Sequence, residues 1–279
     1  MKTIKNYLFL LVFLLGSFYY TNRSIEIMRN QDPIMKQIDQ NSEKYQINPV
    51  NAEIIDNTII PGVTGHMVDR EKSYHQMKQY GNYNETMTVL KEIKPEVSKD
   101  LYYNKYIETG NPNERRIALV FPILEGKTFE TLLTLLKKEN VNATIFIDGN
   151  DLDENISLLK KYDDHEYELL SFQKKYNASY LKTAESYLEN ITKQKTEYCY
   201  TEKENKELLN YCSKNKHHVI KPKIILNNNL TYHLKKTITN GSVIAIHVTE
   251  ANIKEISPMI QYIKSKGYRF ELLKNLLKE

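Results

Sequence analysis

Downstream of Gly110-Asn-Pro112 the chain alternates short apolar runs with amphipathic stretches, and this alternation restricts the fold more than any other feature. Runs at 117–121, 143–147, 167–171, 197–200, 218–220, 242–247 and 268–271 have the length and content of strands. Between them lie helical stretches, the clearest at 128–139, 178–192 and 253–266; in the first of these Phe129, Leu132, Leu133 and Leu136 share one face. Strand and helix in turn imply parallel strands joined by right-handed crossovers. Seven strands within residues 113–279 are compact for a closed barrel, which normally takes ~200 residues or more. The expected fold is therefore α/β, an incomplete or trimmed (β/α) barrel.

Residues 49–112 read as a small α+β module. Two short strands flank Asp56-Asn57, Pro61-Gly-Val-Thr-Gly65 makes a turn, Asp69 caps a helix that Gly81-Asn82 ends near Tyr80, and residues 86–93 alternate like a strand. So small a module cannot bury an independent core and is expected to pack on the larger domain downstream of it. Residues 24–48 are polar with loosely helical apolar spacing, as in a juxtamembrane helix or stalk.

Residues 1–23 begin with Lys2 and Lys5, continue through an uncharged apolar stretch from Tyr7 to Tyr20, and return to polar residues at Thr21-Asn-Arg23. Those fourteen residues reach about 21 Å as a helix, short of a ~30 Å hydrocarbon core, so a full span would have to recruit Thr3 and Ile4. The length suits a signal-peptide core as well as a short anchor. Bulky Phe18, Tyr19 and Tyr20 stand where a cleavage site needs small residues, which favours an uncleaved transmembrane anchor. Lysines before the run place the body of the protein outside a cell membrane; with cleavage the product would be secreted.

The charge balance, 39 basic against 35 acidic residues for a net +4, carries no basic cluster and excludes a nucleic-acid partner. Cys199 and Cys212 follow no zinc spacing, and a disulfide between them is permitted outside the cytoplasm. There is no Gly-x-Ser-x-Gly, no His-Glu-x-x-His and no phosphate-binding glycine loop.

Three segments carry a family resemblance. Ile117-Ala-Leu-Val-Phe121, one helix and Ala143-Thr-Ile-Phe-Ile147 come first; His165-Glu-Tyr-Glu-Leu-Leu-Ser171 is next; Gly241-Ser-Val-Ile-Ala-Ile-His247 comes last, with Lys266-Gly-Tyr268 opening the next strand. In this order they resemble the polysaccharide deacetylases, the NodB-like carbohydrate esterases. The resemblance implies a divalent metal that polarises an acetamide carbonyl and readies a water, with a carboxylate base and an acid beside it. The family's two aspartates fall on Pro122 and Ile123, and its paired metal histidines fall near Leu170 and Lys174. Its Arg-Pro-Pro stretch is replaced by Tyr200-Thr-Glu-Lys203, and only His247 matches a catalytic position, next to Val248 where an acidic residue is usual.

No catalytic residue, metal ligand or cofactor is expected on this basis. Glu125, Asp148, Asp151, His247 and Glu250 follow the carboxyl ends of strands, the edge at which α/β proteins place ligands, and would form any remnant or rewired pocket. The expected protein is membrane-anchored, extracytoplasmic and inactive, and binds cell-wall glycan or an envelope protein. The alternative is an active zinc-type deacetylase of an N-acetylated, peptidoglycan-like glycan with a rearranged site.

Overall fold

The computed structural model describes residues 2–123, 126–170 and 178–279. The chain forms two compact units, one of residues 1–49 with 64–94 and the other of residues 50–63 with 95–279. The 49–112 stretch is thus shared between them. In chain order the first elements are α1 (Lys2–Gln31), α2 (Pro33–Ser42), β1 (Glu53–Ile55), β2 (Thr58–Ile60), β3 (Gly65–Val68), α3 (Arg70–Tyr80), β4 (Leu90–Ile93) and β5 (Tyr106–Ile107). Then come β6 (Arg116–Pro122), α4 (Phe129–Glu139), β7 (Thr144–Ile147), α5 (Leu152–Lys161), β8 (Glu166–Leu169), α6 (Ala178–Thr192) and β9 (Tyr198–Tyr200). The chain continues through α7 (Lys206–Lys214), β10 (His218–Ile220), β11 (Ile224–Leu226), α8 (Leu230–Thr237), β12 (Val243–Ile246), α9 (Ile253–Ser265), β13 (Arg269–Glu271) and α10 (Leu273–Leu276).

In the first unit, Ile34, Met35 and Ile38 of α2 pack with Val68 of the antiparallel β3–β4 pair and Met77 of α3. Asp32 starts α2: its carboxylate accepts the Ile34 N–H at 2.9 Å, takes a hydrogen bond from Tyr74 and pairs with Lys78 at 2.6 Å. Asp69 caps α3, and Gly81 ends it at φ 96°, where a side chain would be strained. In α1 the side chains of Phe9 to Leu15 and of Phe18, Tyr19 and Tyr20 are exposed. Among the described residues no helix is long and apolar enough to cross a membrane. The transmembrane anchor expected from the sequence is not supported, for the physical reason that the uncharged run is about 21 Å long as a helix.

The second unit is built on parallel strands, as the alternation predicts. One sheet has the order β11-β12-β6-β7-β8, with β13 pairing the first half of β6 while β7 pairs its second half. The other has the order β1-β2-β5-β10-β9, parallel except at the β1–β2 hairpin. Strand β11 was not anticipated, being three residues between Lys223 and Asn227. The edge strands β8 and β9 of the two sheets share no ladder. There the Glu168 carboxylate takes the place of backbone pairing, accepting the N–H groups of Glu197 at 3.1 Å and Tyr198 at 3.2 Å.

Both faces of β6 are buried, which is why it reads as an unbroken apolar run. Ile117, Leu119 and Phe121 face an outer layer with Phe129, Leu132, Leu133 and Leu136 of α4 and Ile256, Met259, Ile260 and Ile263 of α9. Ala118 and Val120 face an inner core with Phe146, Tyr198, Tyr200, Ile220, Val243 and Ala245. Each fully buried Leu of α4 contributes about 2 kcal/mol by removal from water. Gly241, at φ 76°, brings the chain onto β12 where an added Cβ would lie 2.5 Å from the Gly110 carbonyl oxygen.

Candidate functional site

The carboxyl ends of β6, β7, β8, β9 and β12 are where the family resemblance places its chemistry. At the end of β6 the backbone does the work. Pro122 is in register with Phe146, and the Ile123 N–H donates to the Phe146 carbonyl at 2.8 Å. Ile123 is 3% exposed and packs in the outer core. Neither side chain has a donor atom for a metal or an acceptor for a proton. Behind them the fully buried Phe146 ring lies 5.3 Å from that of Tyr200, so aromatic carbon fills the inner core at this level.

At the end of β7, Asp148 is a turn residue. Its carboxylate accepts the Asn150 backbone N–H and side-chain amide, both at 2.9 Å, and the Tyr180 hydroxyl lies 3.5 Å away. Asp151 comes next in the same short turn, which leads into α5. Past β8, Leu170 is buried and its N–H donates to the Ile147 carbonyl. Lys174 and Glu125 lie outside the described residues. Glu250 is exposed in the loop after β12.

His247 stands at the end of β12, its N–H donating to the Leu226 carbonyl and its carbonyl held by the Asn252 side-chain amide at 2.6 Å. Its Nε2 lies 2.5 Å from the Glu202 Oε1. Glu202 lies just past β9 and also accepts from the Tyr200 hydroxyl at 3.3 Å. Burial pushes the Tyr200 phenol up, and the Glu202 charge adds to the effect, so this hydroxyl stays protonated and a donor. The edge therefore holds a carboxylate–imidazole–phenol cluster centred on Glu202, whose carboxylate meets both the His247 Nε2 and the Tyr200 hydroxyl.

Of the sequence-designated residues, the structure gives His247 a polar partner, commits Asp148 to its own turn and leaves Glu250 in solvent. Among the described residues no group of three or more His, Cys, Asp or Glu is placed to hold a metal ion. Sequence reasoning missed Glu202 as the partner of His247. It also missed the carboxylates of Glu166 and Glu168, which lie buried on the inner face of β8. A signal was present for these two: charged residues at alternate positions of a strand covered on both faces are anomalous.

No family model matches the chain. The uncharacterized protein YlxY of Bacillus subtilis is 33% identical over 148 residues, which is 51% of this chain and 46% of that protein. The chain thus spans about half the length of this curated relative. Among solved structures, wild-type BA3943 of Bacillus anthracis, described as a CE4 family pseudoenzyme, superposes with a TM-score of 0.66 at 24% identity over 89% of this chain and 96% of its own. PdaA of Bacillus subtilis, a family 4 carbohydrate esterase, gives 0.55 at 17% identity over 82% of this chain and 97% of its own. A family 4 carbohydrate esterase from Bacillus anthracis gives 0.54 at 20% identity over 64% and 90%.

The chain has the α/β fold of the family 4 carbohydrate esterases, the NodB-type polysaccharide deacetylases. A pseudoenzyme stands among its structural relatives.

Proposed function

We propose that this protein is an inactive member of the deacetylase fold that acts in the cell envelope by binding an N-acetylated glycan or an envelope protein. The observation that carries this reading is the end of β6, where buried Pro122 and Ile123 occupy the positions at which the resemblance calls for carboxylates. Metal-assisted amide hydrolysis needs hard donors around the ion and a base for the water. A proline and an isoleucine supply neither. The likeness to a protein described as a pseudoenzyme supports the same direction.

An extracytoplasmic site of action is favoured by one further observation. Cys199 of β9 and Cys212 of α7 are joined in a disulfide buried at both ends, and such bonds persist in oxidising compartments.

Sedimentation of the purified full chain with insoluble N-acetylated glycan tests the binding role. Retention on peptidoglycan or chitin, competed by soluble N-acetylglucosamine oligomers, is expected. No retention at any glycan concentration would leave the envelope-protein arm, tested by cross-linking in intact cells.

The second reading, a working deacetylase with a rearranged site, draws on the His247–Glu202 pair, which sits at the edge where such chemistry belongs. Stoichiometric zinc on the purified protein, lost in His247→Ala, would favour it.

A further inference from the structure

At the end of the barrel opposite the His247 edge, α4 and α5 finish beside each other and beside the start of β8. A cavity of about 230 Å³ opens there, lined by Lys137, Asn140, Asn142, Lys161, Tyr162 and His165 among others. His165 is 3% exposed. Its Nδ1 accepts the Ala143 backbone N–H at 3.2 Å, so in the neutral ring the proton sits on Nε2. Burial holds the imidazole neutral by pushing its pKa down to about 4. Nε2–H then has no hydrogen-bond partner among the described residues and keeps contact with solvent on the wall of the cavity.

Two ammonium groups converge on the same place. Lys161 Nζ lies 5.0 Å and Lys137 Nζ 5.6 Å from the centroid of the Tyr162 ring. Neither lysine has a carboxylate within ion-pair distance among the described residues. Lysines in the last turns of helices are ordinary partners of the helix dipole, and by themselves they would mark nothing. The unpartnered imidazole donor lining the same cavity is the second observation. Asp164, also on the rim, offsets one of the two charges and leaves the cavity with a net positive charge.

We infer that this cavity is a binding site for a phosphate group, with Lys137 and Lys161 supplying charge and His165 Nε2–H a fixed hydrogen bond. Donors from three separate elements suit a tetrahedral oxyanion, whose oxygens diverge, better than a planar carboxylate. Such charge-assisted contacts are the stronger class of hydrogen bond. The group is either a free phosphate or monoester, or the diester of a polymer. The site is independent of the proposed glycan-binding role.

The test is titration of the purified full chain with inorganic phosphate and, separately, with dimethyl phosphate at constant ionic strength, following the His165 ring signals by NMR and the melting temperature. A saturable shift of the His165 Nε2 signal with a rise in melting temperature is expected. In a Lys137→Gln/Lys161→Gln variant, both positions being exposed and harmless to the fold, the affinity should fall about tenfold or more. A response to inorganic phosphate alone assigns a free phosphate or monoester, and a response to both assigns a diester-competent site. No saturable shift up to about 50 mM of either probe, taken as the upper limit of weak specific binding, overturns the inference. So does a response of equal strength in the double variant.

Discussion

Nε2 of His247 and Oε1 of Glu202 lie 2.5 Å apart although 45 positions separate them in the chain. Strand β12 delivers the imidazole and the turn after β9 delivers the carboxylate. The histidine that most resembles a catalytic residue is thereby held by a local acid.

Because His247 and Glu202 keep 20% and 36% of their side-chain surface in solvent, the pair contributes little to folding. Glu202→Gln should change stability by about 1 kcal/mol or less, in line with partly exposed ion pairs. Urea denaturation of the two proteins at pH 7 checks this. A loss of several kcal/mol would show that the pair is a structural keystone.

Glu168 makes a sharper prediction, because it is fully buried and no cation pairs with it among the described residues. Burial, and then the neighbouring charge of Glu166, raises its pKa well above the ordinary value of 4.5, despite the N–H groups of Glu197 and Tyr198. A carboxyl with a folded pKa above its unfolded one stabilises the fold fully below the unfolded pKa, and loses that contribution as pH rises through the folded pKa. The Glu168 contribution should therefore fall away from mildly acidic pH upward, opposite in sign to that of the buried His165. In Glu168→Gln, which keeps an oxygen for the two N–H groups, the melting temperature relative to wild type should rise with pH, the variant melting higher on the alkaline side. Parallel melting curves from mildly acidic to mildly alkaline pH for the two proteins would contradict the assignment.

Phe146→Ala tests the aromatic filling of the inner core. The ring is fully buried against Tyr200 and in register with Pro122. Its loss should cost about 3–5 kcal/mol through transfer and cavity terms. Chemical denaturation measures it directly, and a cost below about 1 kcal/mol would mean the core refills.

Removing the disulfide between Cys199 and Cys212 should lower stability by about 3 kcal/mol, from the freedom regained by a loop of this length in the unfolded chain. Melting with and without reductant, and of Cys199→Ser/Cys212→Ser, checks this. Two free thiols titrated in the native protein purified from its compartment would contradict the oxidised state.

The sheet was legible where a strand is both covered on two faces and long enough to form a sustained apolar run. Strands β6, β7 and β12 each announce themselves as apolar runs, and the single apolar face of α4 follows from the spacing of Phe129, Leu132, Leu133 and Leu136. Strand β11 escaped notice because Ile224–Leu226 is too short to show a period. Cys199 and Cys212 were not legible as a pair, since a separation of 13 decides nothing until β9 and α7 are side by side. At the candidate site the residues that cannot do chemistry, Pro122 and Ile123, were readable from the strand they end. What replaced them was not, because Glu202 meets His247 only through the order of the strands. The apolar N-terminal run misled in the other direction: its hydrophobicity is evident, and its length falls short of a span.

The central claim is that this edge of the sheet does not hydrolyse amides. Its most direct test is acetate release from N-acetylated chitin oligomers and peptidoglycan by the purified full chain, with zinc supplied. The account predicts no release above the protein-free background, with wild type and His247→Ala indistinguishable. Zinc-dependent release of acetate that disappears in His247→Ala would contradict it.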